Sequence, residues 1–171
     1  MTVGIDVLVV THHGGALLEK CLQSIRNQTL APAAVVVVFS SDAAPPETID
    51  FELIRTESPS DFAPAANLGL AHLGKRPVVL LNDDTELETT FLQSLQTAHT
   101  KPGIYQPRII DPEGRIDNTG HWVFVDGFNI ARDRGTTQRR GPGPCGAFSG
   151  AAVMFSPEIL LQVGAFDADF G

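Results

Sequence analysis

Three short runs are apolar almost without interruption: Ile5-Asp6-Val7-Leu8-Val9-Val10-Thr11, Ala34-Val35-Val36-Val37-Val38-Phe39 and Val78-Val79-Leu80-Leu81. A strand with one wet face alternates apolar and polar residues, whereas a parallel-sheet strand covered on both faces stays apolar throughout. The runs therefore demand a mainly parallel sheet with helices on both sides. Each run also stops abruptly at polar or glycine residues: His12-His13-Gly14-Gly15, Ser40-Ser41-Asp42 and Asn82-Asp83-Asp84. In a parallel sheet those ends share one edge, the crevice where open α/β sheets bind ligands.

The intervening segments supply the required helices. Leu18, Cys21, Leu22 and Ile25 recur at helical spacing after Ala16, and the pattern breaks over residues 27–32. Residues 63–73 form a second predicted helix with Gly74 as its stop. A third, over residues 87–99, places Leu87, Phe91, Leu92 and Leu95 on one face. Phe51-Glu52-Leu53-Ile54-Arg55-Thr56 alternates more, as an outer strand does. Parallel neighbours need crossovers, usually helical, so this order selects the α/β class with a mainly parallel central sheet. Residues 104–110 are expected to add a strand. Pro112-Glu113-Gly114 and Asp126-Gly127 read as turns around short aromatic-containing strands, α+β material on a sheet edge. No repeat or linker divides the 171 residues, so one domain over 1–171 is expected. A chain of this size buries roughly 70% of its unfolded surface without help from disulfides.

Twelve basic against twenty acidic residues leave a net charge of −8, which opposes nucleic-acid binding. The one basic cluster, from Arg132-Asp133-Arg134 to Arg139-Arg140, lies among Gly, Thr, Gln and Pro. It reads as a mobile loop, or as one reaching for a sugar diphosphate or an anionic membrane surface. Cys21 and Cys145 are expected to be free buried thiols in a reducing compartment. No window reaches 18 apolar residues and no basic-then-apolar leader opens the chain, so a soluble cytoplasmic protein is expected.

At the strand ends, Asn82, Asp83 and Asp84 offer hard oxygen donors that suit Mg²⁺ or Mn²⁺ carrying a diphosphate. The same residues also suit a turn followed by a helix cap. His12 and His13 lack the companions of a zinc site and favour a structural or ligand-contacting role. There is no Gly-x-Ser-x-Gly elbow, and Cys145 has no His near it in sequence. Gly141-Pro142-Gly143-Pro144 is a proline-bearing turn rather than a phosphate loop. Gly150, Ala151 and Ala152, opening a further apolar run, let a ligand or a backbone approach closely.

Taken together, these residues resemble the family 2 glycosyltransferases, in particular rhamnosyltransferase-like members acting on bacterial surface polysaccharides. The resemblance runs through Val-Val-Thr, Leu18-x-x-Cys21-Leu22-x-Ser24-Ile25 and Gln28, then Phe62-Ala63-x-Ala65-x-Asn67-x-Gly69. It continues through residues 80–87, Gly150-Ala151-Ala152-x-Met154, and residues 163–170. It implies a Rossmann-like GT-A domain and an inverting transfer of sugar from a nucleotide-diphosphate donor to a saccharide or lipid-linked acceptor, with Mg²⁺ or Mn²⁺ and peripheral membrane association. Asp84 matches the metal carboxylate of the family's Asp-x-Asp-like motif, and Asp83 a more variable neighbour. Thr11 and the loop after Phe39, with Ser40 and Asp42, would lie near base and ribose, Asn67 would lie in the donor pocket, and His13, Gly150 and Ala151 are further candidate substrate-binding residues. Two departures stand out. The family usually reads Val-Asp-Asn-x-Ser where this chain has Val38-Phe39-Ser40-Ser41-Asp42. Its Glu-Asp base pair follows Phe-Asp-x-x-Phe, whereas this sequence stops at Gly171, which suggests truncation before the base. Asp167 and Asp169 then read as structural or acceptor-side groups. A non-catalytic binding or scaffold module is the rival reading. A nucleotidyltransferase would need a glycine-rich basic N-terminal loop that is missing.

Overall fold

The apolar runs become the middle of a six-stranded sheet in the computed structural model, which describes residues 4–47, 49–138 and 141–169. Strands β1 (Asp6–Thr11), β2 (Ala34–Phe39), β3 (Glu52–Arg55) and β4 (Val78–Asn82) lie in the order β3-β2-β1-β4, all parallel. Beyond β4 the sheet continues with β10 (Ala152–Phe155), antiparallel to both neighbours, and ends on β5 (Ile104–Tyr105). Helices α1 (Ala16–Arg26) and α2 (Phe62–Leu73) follow β1 and β3, α3 (Phe91–Ala98) follows β4, and α4 (Pro157–Val163) follows β10.

Successive strand residues point to opposite faces, and both faces are dry. Val7, Val9, Val35, Val37, Val79 and Leu81 pack with Leu18, Cys21, Leu22 and Ile25 of α1 and Leu92 and Leu95 of α3. Leu8, Val10, Val36, Val38, Val78 and Leu80 pack with Ala65, Ala66, Leu70 and Leu73 of α2. Full burial of each such aliphatic side chain is worth about 1.5–3 kcal/mol. Gly69 sets how closely α2 approaches, because a Cβ there would run into the Leu8 side chain.

The connections create a switch point. From β1 the chain crosses through α1 to β2 on one side and returns through α2 to β4 on the other, so the crevice opens at the carboxyl ends of β1 and β4.

The remaining elements are short. β6 (Ile109–Ile110) pairs with β7 (Ile116–Asn118), and β8 (His121–Val123) with β9 (Asn129–Ala131), as separate two-stranded ribbons. Four expectations need correction. The strand expected over 104–110 is split into β5 and β6, because Pro107 has no N–H to pair and the Gln106 amide turns to the Ala152 carbonyl and the Ser149 N–H. The third helix begins at Phe91 rather than 87, because the Leu87 N–H bonds to the Ser24 side chain of α1 and the Glu88 carbonyl to the Gln28 side chain just past that helix. Cys145 is free as expected but exposed. The basic segment is tied down where it is described: Arg132 stacks over the Trp122 ring, 5.0 Å from its centroid, and Arg134 pairs with Asp117 at 3.5 Å. Arg139 and Arg140 lie outside the described residues, as does Phe170.

Candidate functional site

At the end of β1, Thr11 is completely buried, and its hydroxyl holds two loops together. It accepts the Gly14 N–H at 3.1 Å and donates to Asp83 Oδ2, a residue 72 positions later at the end of β4. The turn that brings Gly14 back needs left-handed backbone, and Gly14 and Gly15 have φ of 65° and 86°. A Cβ on Gly14 would lie 2.8 Å from the Pro46 ring, so the glycine also lets the β1 and β2 loops close on each other. His12 Nδ1 donates to the Ser40 carbonyl at 3.2 Å and ties the same loops from the other side. His13 is exposed beside it.

The β4 end is a tight turn. Thr85 N–H and Oγ1 both donate to the Asn82 carbonyl, at 3.3 and 2.7 Å, which folds Asp83 and Asp84 outward at the sheet edge. From β10's side, the Ala151 carbonyl accepts the Asn82 N–H at 3.0 Å, which sets Gly150 and Ala151 directly against the acidic turn. Thr11, Asp83, Asp84, Gly150 and Ala151 are thus brought together by three neighbouring strands. Beneath them, burial pushes the Cys21 thiol up to about 12, with the Asp83 and Asp84 charges acting in the same direction.

The residues present fit a hard divalent cation. Asp84 is exposed and joins no ion pair among the described residues, while Asp83 keeps one oxygen beyond the one Thr11 holds. No three His, Cys, Asp or Glu side chains converge among the described residues. One or two carboxylates, with substrate phosphates and water completing the shell, is the usual arrangement for Mg²⁺.

Of the other expected residues, Ser40 and Asn67 have partners of their own. Phe39 is core, fully buried, and Ser40 is nearly so. The Ser40 hydroxyl donates to the Ser60 carbonyl and accepts the Ser60 N–H, both at 2.8 Å, so it anchors the loop before α2. Asp42 stays exposed on that loop. Asn67 spends both ends of its amide on one residue, donating to the Phe166 carbonyl at 2.7 Å and accepting the Phe166 N–H at 2.9 Å. Phe166 also meets Phe62, Phe148 and Phe155 edge-on, which pins the segment after α4 to the α2 face. Ser24 and Gln28, which no sequence argument singled out for the acidic turn, bond to its backbone. The polarity of Ser24 on an otherwise apolar helix face was the available signal.

Solved structures share this architecture. A mannosyltransferase, PcManGT from Pyrobaculum calidifontis in complex with GDP-Man and Mn²⁺, superposes with a TM-score of 0.64 at 20% identity, over 100% of this chain and 49% of its own. S. aureus TarS 1-349 gives 0.65 at 13% identity, covering 97% and 51%, and GalNAc-T7 with UDP, GalNAc and Mn²⁺ gives 0.65 at 16%, covering 98% and 37%. These likenesses establish the GT-A fold, and the chain spans about half or less of each of those proteins. No curated protein sequence matches it significantly. The sequence pattern described as Glycosyl transferase family 2 matches residues 6–164, from the first strand to the end of α4. The chain therefore belongs to glycosyl transferase family 2.

Proposed function

We propose that this chain is the nucleotide-sugar-binding part of an inverting glycosyltransferase, using Mg²⁺ or Mn²⁺ at Asp84 with Asp83 beside it, and passing a hexose to a saccharide or lipid-linked acceptor. The observation that carries the reading is the Thr11–Asp83 hydrogen bond across the switch point, with Asp84 exposed next to it. The relatives solved with GDP-Man or UDP and Mn²⁺ support the donor class. When bound, the cation supplies charge to the diphosphate leaving group as its bond to the anomeric carbon breaks. Thr11 orients Asp83, and inversion calls for a carboxylate base beside the acceptor hydroxyl.

Isothermal titration with UDP, dTDP and GDP, with and without Mn²⁺, tests this. Binding of at least one nucleotide should strengthen with Mn²⁺, and Asp84→Ala should abolish that gain. Metal-dependent binding that survives Asp84→Ala sinks the assigned role.

A second reading, a non-catalytic nucleotide-sugar-binding module, is favoured by the β2 end. Phe39 and Ser40 occupy the place of the family's base-holding carboxylate and are committed to the core and to Ser60. Donor binding without nucleotide release from UDP- or dTDP-sugars would support it.

A further inference from the structure

Helix α1 and the residue just past its C-cap carry buried polar side chains that apolar packing alone does not explain. Cys21 and Ser24 stand three residues apart on the helix and so share a face, Gln28 follows just past the C-cap Asn27, and all three are buried. A buried hydroxyl or amide is costly unless it is hydrogen-bonded, so the partners reveal the purpose. Outside the helix, every partner of these three residues lies in residues 82–92.

Cys21 Sγ donates to the Asn82 carbonyl at 3.7 Å. Ser24 Oγ accepts the Leu87 N–H at 3.0 Å while donating to the Cys21 carbonyl at 2.7 Å. Gln28 Nε2 donates to the Glu88 carbonyl at 2.9 Å and to the Ser24 carbonyl at 3.1 Å, and its Oε1 accepts the Leu92 N–H at 3.0 Å. Just past the helix, the Thr29 N–H donates to the Thr89 carbonyl at 2.8 Å.

The segment they hold has little order of its own. Residues 83–90 belong to no helix or strand, and four of them, Asp83, Asp84, Glu86 and Glu88, are acidic and repel one another. Helix α3, which follows, receives no side-chain cap from its own N-cap residue Thr90. Gln28, just past the end of α1, supplies that bond instead, at Leu92 in the first turn.

We infer that Cys21, Ser24 and Gln28 are positioning residues, a clamp that holds the backbone of residues 82–92 so that Asp83 and Asp84 stand ready at the strand ends before any cation or diphosphate arrives. What the carboxylates bind rests on the function proposed above; the clamp on the backbone does not. Holding the turn in advance spares the ordering cost at the moment of binding. Residues that orient metal ligands are commonly worth about 10–100-fold in metal affinity.

The test compares Gln28→Met and Ser24→Ala with the unmodified chain, together with the pair Cys21→Ser, which keeps a donor, and Cys21→Ala, which does not. Free Mn²⁺ is followed by electron paramagnetic resonance in the presence of UDP, well below each variant's melting temperature. Hydrogen exchange is followed at the Leu87 and Leu92 amides. Gln28→Met and Ser24→Ala should speed exchange at those amides and weaken Mn²⁺ binding by about tenfold, and Cys21→Ser should bind better than Cys21→Ala. Faster exchange with unchanged Mn²⁺ affinity removes the clamp's role at the site and leaves the metal reading standing. Unchanged exchange overturns the clamp itself. Loss of Mn²⁺ binding in the unmodified chain overturns the donor reading and the clamp's purpose with it, while the exchange data still report on the clamp. Should Gln28→Met fail to fold, equal Mn²⁺ affinity of the two Cys21 variants overturns the proposal.

Discussion

The four parallel strands and the stretch from β5 to β10 use similar residues to opposite ends. In β1, β2 and β4 nearly every side chain is buried between helices. In the β8–β9 ribbon and its turn, Trp122, Val123, Phe124, Val125, Phe128 and Ile130 are about half exposed or more, with Val125 fully so. The first region is held by apolar contact between segments distant in sequence. The second is held by short-range polar geometry. Asp111 grips the Arg115 N–H at 2.8 Å and its guanidinium at 2.9 Å, and Asp126 accepts the Phe128 N–H at 3.0 Å. Two-stranded ribbons with one open face are marginal by themselves, so each leans on local turns. The contrast teaches that apolar content alone says little about where a chain is sensitive to change.

The two thiols offer the widest separation between the regions. Burial pushes Cys21 up from 9.0 to about 12, which cuts its thiolate fraction near pH 8 by about a thousandfold. Cys145 is exposed. A native chain should therefore label rapidly at one thiol per molecule with an aromatic disulfide reagent and at two after unfolding; equal fast labelling of both would break the contrast. Next in size is core truncation. Leu80→Ala should cost about 2–5 kcal/mol in a denaturant titration, while Ile130→Ala should stay within about 0.5 kcal/mol; similar losses would mean the ribbon is a second core.

Gly69→Ala sharpens the comparison from the opposite direction. Its new methyl meets Leu8, and overpacking of that kind costs about 1–3 kcal/mol, read as a lowered unfolding midpoint. Asp6 should give the smallest effect. Burial holds its carboxyl above the ordinary 3.8, against the pull of the Arg76 guanidinium 2.9 Å away. The protonated form is thus favoured by folding, so its contribution is complete below 3.8 and is lost as pH rises through the higher folded value. Asp6→Asn should flatten that part of the stability profile, and an unchanged slope would remove Asp6 as its source.

Much of the sheet was legible because β-branched runs such as Val35-Val36-Val37-Val38 can hardly be anything but doubly covered strands. The outer position of β3 followed from the alternation around Leu53 and Ile54. The meeting of Thr11 with Asp83 was implied by the shared edge, since parallel strands put their ends together. What stayed hidden depended on partners far away in sequence. Neither the locking of Asn67 onto Phe166 nor that of Ser40 onto Ser60 leaves a periodic trace. The start of α3 was misplaced for the same reason: a helical pattern from Leu87 onward is real in sequence, but Ser24 and Gln28 claim the backbone that its first turn would need. Pro107 divided β5 from β6 as proline chemistry requires, a signal present in the sequence but outweighed by its apolar neighbours.

β10 has a consequence for how the protein is made. It fills the outer edge of β4, pairing Ala152 with Leu81 and Phe155 with Val78, yet it is synthesised long after β4. Until it emerges from the ribosome, a nascent chain that has already closed β3-β2-β1-β4 displays Val78, Val79, Leu80 and Leu81 along an unpaired strand edge. Such edges recruit strands from other molecules. The time taken to synthesise residues 82–152 therefore sets how long that edge stays uncovered.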